Sequence, residues 1–348
     1  MSPGQQRLVL HVGVMKSGTS FIQSRLFANK QMLLVERGIL VPGMNWLSQV
    51  MAARDVLGAG DEQWAKMAGK VNAHDGTSVI SMEYLGPVRS VVARRVLDTF
   101  PSHQVDVVIT ARDLNRSIAA MWQETVQNGR TWTFADYLHG IEAWRPGHRE
   151  ESLNAPESGR TFWRQQNLAR IARTWGELGA PVSVVTVPPP GAPRELLWER
   201  FCSVLRTPPD GFAPARMDNE SVGAASTLVI RRLNELLNEA GLPFPEGTEL
   251  RKGVLAKQVL AARKSSEPAI GLPVAPWVRD HAARMVTALT ERGISPTGSW
   301  DDLTPVDVPG VDPGTIDDSL VADAAIAGLA GVLAEQIRTV PPRAEEES

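Results

Sequence analysis

The stretch Arg7-Leu8-Val9-Leu10-His11-Val12-Gly13-Val14, continued by Met15-Lys16-Ser17-Gly18-Thr19-Ser20 and Phe21-Ile22-Gln23-Ser24-Arg25-Leu26, decides how the rest of the chain is read. The first segment is apolar apart from Arg7, His11 and Gly13, as a strand buried on both faces is. The middle packs a lysine, a glycine and three hydroxyls between positions 16 and 20, and the last segment opens as a helix. Strand, tight loop and helix start in that order form an anion cradle. Backbone N–H groups at a helix N-terminus point outward and carry partial positive charge. Gly18 admits a close approach, the hydroxyls donate and Lys16 adds a full charge. This reading implies a phosphate or a sulfate as ligand.

Two more segments share the pattern. Val105-Asp106-Val107-Val108-Ile109-Thr110-Ala111 is a β-branched run suited to a central parallel strand. It leads into Arg112-Asp113-Leu114-Asn115-Arg116-Ser117 and a helix to about Gln127. Thr77-Ser78-Val79-Ile80-Ser81-Met82-Glu83-Tyr84-Leu85 is a short apolar strand ending in polar residues. A carboxylate at such an end lies on the ligand side of an open α/β sheet. Glu83 is the candidate general base, its plainer alternative being an N-cap or first-turn acid for the segment after it. A further strand, 182–187, ends at Pro188-Pro189-Pro190-Gly191.

Helix signals fall at 48–57, 62–71, 134–138, 162–178 and 194–205, and then at 221–240, 250–264, 276–292 and 317–338. Thr133 reads as a cap for the 134–138 helix. The alternation predicts an α/β fold: a P-loop-like parallel β-sheet flanked by helices, with helical insertions and a helical C-terminal region. One domain over 1–340 is expected, with 341–348 a disordered tail. Residues 144–159 read as a loop able to act as a lid, and 300–314 as linker-like. Trp46, Trp122, Trp132 and Trp163 lie near the segments expected to face a substrate, although packing is the default role for each.

Of 348 residues, 43% are hydrophobic and 22% charged, and the formal net charge is −3. That balance excludes a general nucleic-acid binder, so the cations of an anion site must be local. The single cysteine, Cys202, rules out an internal disulfide, and its apolar surroundings predict a buried thiol. The six histidines show no metal-ligating spacing, so no metal is expected. His11 reads as a buried, satisfied histidine beside the loop. No secretory signal is visible, and the most apolar helical stretch, 324–334, is too short to span a bilayer. A cytoplasmic location without a membrane span is therefore expected.

Gly13 and Gly18 have the spacing of the nucleotide-binding P-loop, but the lysine stands two residues before Gly18 instead of directly after it. Lys16-Ser17-Gly18-Thr19-Ser20 instead resembles the 5′-phosphosulfate loop of sulfotransferases that use 3′-phosphoadenosine-5′-phosphosulfate. Ala111-Arg112-Asp113-Leu114, Trp122-Gln123-Glu124, the strand ending at Gly191 and Asn219-Glu220-Ser221 are similar to actinobacterial members of that family. The resemblance covers roughly residues 7–240.

It implies Lys16 against the leaving phosphate and Ser17, Gly18, Thr19 and Ser20 around the 5′-phosphate. It also implies Arg112 on the 3′-phosphate and Glu83 as general base, with a small-molecule, carbohydrate or lipid acceptor. Two positions depart from the pattern. Met15 replaces the usual proline, and Ala120 stands where the family's 3′-phosphate serine is expected, leaving Arg116 or Ser117 to substitute. Arg251-Lys252-Gly253 only echoes the family's C-terminal cofactor loop, because the second glycine is missing, and reads as an exposed basic helix start. A P-loop kinase or ATPase, a non-catalytic nucleotide-binding protein and a scaffold remain as alternatives.

Overall fold

The computed structural model describes residues 6–58, 60, 62–146, 156–215 and 221–339. The centre of the predicted lid, Asn219 and Glu220 of the resemblance and the predicted tail lie outside them. Six parallel strands form one sheet: β1 (Arg7–His11), β2 (Ile39–Leu40), β3 (Thr77–Ser81), β4 (Gln104–Ala111), β5 (Val182–Thr186) and β6 (Pro296–Thr297). Their spatial order is β2-β3-β1-β4-β5-β6.

Successive residues of a strand point to opposite faces, and both faces are covered by helices. Leu8 and Leu10 of β1, with Val107 and Ile109 of β4, enter the larger core; Val9 and Val108 enter the smaller one. Burial on both faces explains why these strands read as continuous apolar runs. Arg7 is an exception inside the core. It is 4% exposed and donates from Nε to Asp106 Oδ2 at 2.7 Å, tying β1 to β4.

The topology brings two of the candidate loops together. From β1 the chain turns towards β2 on one side, and from β4 it continues to β5 on the other. Ligands of open α/β sheets bind at such a reversal, outside the carboxyl ends of the strands. The loop after β1 carries Lys16, and the loop after β4 carries Arg112.

Several expectations are corrected. The span 162–178 is two helices, Glu157–Gln166 and Leu168–Gly176. Asn167 breaks it, its Oδ1 accepting from Arg170 N at 3.0 Å as the cap of the second. Residues 157–159 of the predicted loop belong to the first of these helices. The 250–264 helix is a π-helix, Glu249–Leu260, followed by a 3₁₀ segment to Ser266. Linker-like 300–314 includes the 3₁₀ turn Trp300–Leu303, which starts with a capping box at Ser299. Trp122 and Trp163 are core residues, while Trp46 is 41% exposed. The last helix, Asp318–Thr339, has 22 residues and is long and apolar enough to cross a membrane by length and composition, contrary to the expectation from its most apolar stretch.

Candidate active site

Gly13 and Gly18 make the loop after β1 possible. Both have positive φ, +89° and +82°, and Lys16 between them also lies in the left-handed region at +61°. A non-glycine residue there is uncommon and recurs at functional loops. A Cβ on Gly13 would stand 2.8 Å from Glu83 Cβ, so the loop lies directly on the segment after β3. Gly18 starts the helix Thr19–Ala28, and no side chain caps it. Its first N–H groups are therefore available to an anion.

A buried polar row fixes this loop across three strands. Ser17 Oγ donates to the Val14 carbonyl at 2.5 Å and lies 2.6 Å from Thr110 Oγ1. Thr110 Oγ1 lies 3.0 Å from His11 Nε2, and His11 Nδ1 lies 2.7 Å from Ser81 Oγ. Burial pushes the His11 pKa down to about 3, so the ring is neutral. Counting protons then sets the directions. Ser17 spends its hydrogen on Val14, so Thr110 donates to Ser17, His11 Nε2–H donates to Thr110, and Ser81 donates to Nδ1. Ser17 is fully buried in this role. Of the three loop hydroxyls, Ser20 lies on the exposed side and Thr19 is buried.

Lys16 Nζ pairs with Glu124 Oε2 at 2.6 Å, and Lys252 Nζ reaches Glu124 Oε1 at 2.7 Å. Lys252 also donates to Asn128 Oδ1 at 2.7 Å. Burial raises the Glu124 pKa, but the two lysines outweigh it and hold the carboxyl well below its usual range. Lys257 is close enough for burial, Lys252 and Lys16 to lower its own pKa. Lys252 is thus part of the site, not an exposed helix start. Glu124, Lys252 and Lys257 were missed as site residues because their meeting depends on packing between distant segments. The sequence signals were the family-like stretch Trp122-Gln123-Glu124 and the basic echo at 251–253.

Arg112 donates from Nη1 to the Lys16 carbonyl at 3.4 Å, while its buried Nε has no partner. Burial and Arg116 lower its pKa to about 10, which leaves it charged at neutral pH. Asp113 caps the helix Leu114–Gln127 and pairs with Arg116, whose Nη2 donates to the Pro188 carbonyl at 3.3 Å. Ser117 is 1% exposed and its hydroxyl is unpartnered. Ser117, Ala120 and Glu124 are spaced to share one helix face.

Glu83 begins a 3₁₀ turn directly after β3. Its Oε2 accepts from Gln23 Nε2 at 2.8 Å, and the same amide donates to the Ser81 carbonyl at 3.1 Å. Burial raises the Glu83 pKa, against the backbone and Gln23 hydrogen bonds, and Glu124 adds to the rise. Among the described residues, no cluster of His, Cys, Asp or Glu could hold a metal ion.

No family model matches the chain, and no curated protein does. A solved sulfotransferase from Alicyclobacillus acidocaldarius is similar at 16% identity and a TM-score of 0.39, over 61% of this chain and 85% of that one. At that distance the likeness carries no functional argument, so the case for a function rests on the side chains themselves.

Proposed function

We propose that the protein is a sulfotransferase that moves a sulfuryl group from 3′-phosphoadenosine-5′-phosphosulfate to an acceptor hydroxyl or amine. The observation that carries this reading is the pairing of an anion loop that holds Lys16 with a buried carboxyl of raised pKa, Glu83, packed against it at Gly13. The unpartnered Arg112 Nε and Ser117 Oγ fit a second phosphate group near the first.

When bound, the donor supplies the sulfuryl group and an anionic phosphate leaving group. Such in-line transfers need positioning and charge stabilisation. Lys16 stabilises charge on the leaving oxygen as the bridging bond breaks. The amides of residues 18–20 and the Ser20 hydroxyl hold the 5′-phosphate, and Thr19 contributes through its amide. Ser17 contributes by fixing the loop. Arg112 holds the 3′-phosphate, with Ser117 taking the part that Ala120 cannot. Glu83 accepts the proton that the attacking group loses, and its raised pKa makes it a stronger base than an exposed carboxylate. The acceptor is a small molecule, a carbohydrate or a lipid alcohol.

Calorimetric titration with 3′-phosphoadenosine-5′-phosphate tests the reading, with ATP–Mg²⁺ as comparator. Metal-independent binding of the bisphosphate is expected. Lys16→Ala should weaken it by about ten- to a hundredfold, the range of one charge-assisted hydrogen bond. Preference for ATP–Mg²⁺ would point to a kinase, and no binding of either would remove the nucleotide reading.

A further inference from the structure

At the end of the sheet opposite the loop at Lys16, an open groove of about 380 Å³ runs along the strand starts. Arg7 lines it from β1, Glu36 and Arg37 from the end of the helix Lys30–Arg37, and Arg206 and Thr207 from the turn after the helix Leu196–Leu205. Arg7 is 4% exposed and Thr207 9%. Arg7 spends Nε on Asp106 and Nη2 on the Val204 carbonyl, at 2.7 and 2.9 Å, and its buried Nη1 has no partner. Arg37 Nε and Thr207 Oγ1 are likewise buried and unpartnered. The two helix ends account for part of this basic cluster: Arg37 stands in the last turn of one, and Arg7 Nη2 answers a carbonyl in the last turn of the other, as cations do there. They do not account for Arg7 Nη1, Arg37 Nε or Thr207 Oγ1. Buried polar groups are almost always hydrogen-bonded. Three bare ones on three separate segments around one groove mark a place built to receive an acceptor.

We propose that this groove is a second anion site, which takes a phosphate or sulfate group. Arg7, Arg37 and Arg206 line it against one lining carboxylate, Glu36, and against Asp106, which Arg7 already holds. The surplus is positive, so the occupant is an anion. A guanidinium presents its N–H donors in a fork that matches the oxygens of such a group, and Thr207 adds a hydroxyl. A tetrahedral oxyanion accepts from several directions at once, as donors on a strand, a helix end and a turn require. The turn is shaped accordingly. Arg206 takes φ +59°, uncommon for a residue with a side chain. This brings Thr207 back onto the helix end, where its amide donates to the Cys202 carbonyl at 3.1 Å. The site does not rest on the nucleotide reading. The five residues of β1 separate it from the Lys16 loop, roughly 17 Å of extended chain at about 3.3 Å per residue.

Calorimetric titration of the full-length Lys16→Ala chain with sodium sulfate and with inorganic phosphate tests this, at an ionic strength fixed with sodium chloride. Saturable binding of both anions is expected, with a dissociation constant of about 1 mM or tighter. Adding Arg37→Gln should weaken it at least tenfold, the scale of one charge-assisted hydrogen bond. Arg37 is only half-buried, and its replacement leaves the tie between Arg7 and Asp106 in place. Thr207→Val, which keeps the shape and removes the hydroxyl, serves if Arg37→Gln melts at a lower temperature by circular dichroism, and should weaken binding by a smaller factor. Adenosine 5′-monophosphate beside inorganic phosphate separates the sources. In the binding that Arg37→Gln removes, preference for the ester identifies a phosphorylated metabolite, and equal affinity identifies the free ion. No saturable binding up to about 50 mM, far beyond that dissociation constant, would overturn the site. So would binding that both variants leave unchanged, or an equal response to chloride. Arg37→Gln in an otherwise wild-type chain should leave affinity for 3′-phosphoadenosine-5′-phosphate unaltered, so this site and the nucleotide reading fail separately.

Discussion

Glu83 and Glu124 are two carboxyls in one site with opposite electrostatics. Burial leaves Glu83 holding its proton to higher pH than an ordinary glutamate, while Lys16 and Lys252 keep Glu124 ionised. Pairs of groups whose environments push their pKa values apart divide acid–base and structural labour. Glu83→Gln should therefore lower kcat by roughly 10²- to 10⁴-fold, the usual contribution of a general base, with bisphosphate affinity kept. The kcat/KM of wild type should rise with pH through a value above the ordinary 4.5, and that rise should vanish in the variant. A flat wild-type profile together with an active Glu83→Gln would remove Glu83 from the chemistry. The position of Glu83 was legible because a carboxylate directly after an apolar strand has few other places to be. Its neighbour Gln23, which orients it, was not: a glutamine in a second helical turn carries no sign of what it will face.

At the scale of elements, the loop after β1 depends on a backbone that only glycine adopts cheaply. Gly13→Ala would place a methyl group 2.8 Å from Glu83 Cβ in a residue at φ +89°. A stability loss of about 1–3 kcal/mol is expected from the strain, with activity falling further because Glu83 must move. Urea unfolding and initial rates on the same variant separate the two effects, and full activity would show that the contact is dispensable. Strands β1, β3, β4 and β5 were readable because each is an apolar run between turn signals. The two-residue strands β2 and β6 are set by their neighbours in the sheet and leave no pattern of their own. The break at Asn167 was hidden because apolar periodicity continues across it, and only the side-chain cap to Arg170 N reveals the new start. Lys252 and Glu124 lie 128 positions apart, and no local rule brings them together.

Across the whole molecule, buried neutral histidines set the response to acid. His11 is held down to about 3 and His281 to about 4, both chiefly by burial, against an ordinary value of 6.5. The unfolded chain takes up these protons first, so stability is full above pH 6.5 and declines as pH falls towards 4. The slope approaches about 1.4 kcal/mol per pH unit for each histidine. Glu83 acts in the opposite sense, because its raised pKa makes the folded state bind a proton earlier. Urea midpoints at neutral pH and near pH 5 should therefore differ, the acidic one being lower; equal midpoints would mean that these rings are hydrated. The order in which the site is assembled also follows from the fold. The anion loop, Glu83 and Arg112 all lie within the first third of the chain, but Lys252 arrives on the π-helix, which is backed in turn by Asp318–Thr339. A nascent chain leaving the ribosome thus exposes its cradle and its carboxyl long before the second lysine docks on Glu124. The complete charge pattern around Glu124 exists only once the π-helix that carries Lys252 has been made and packed.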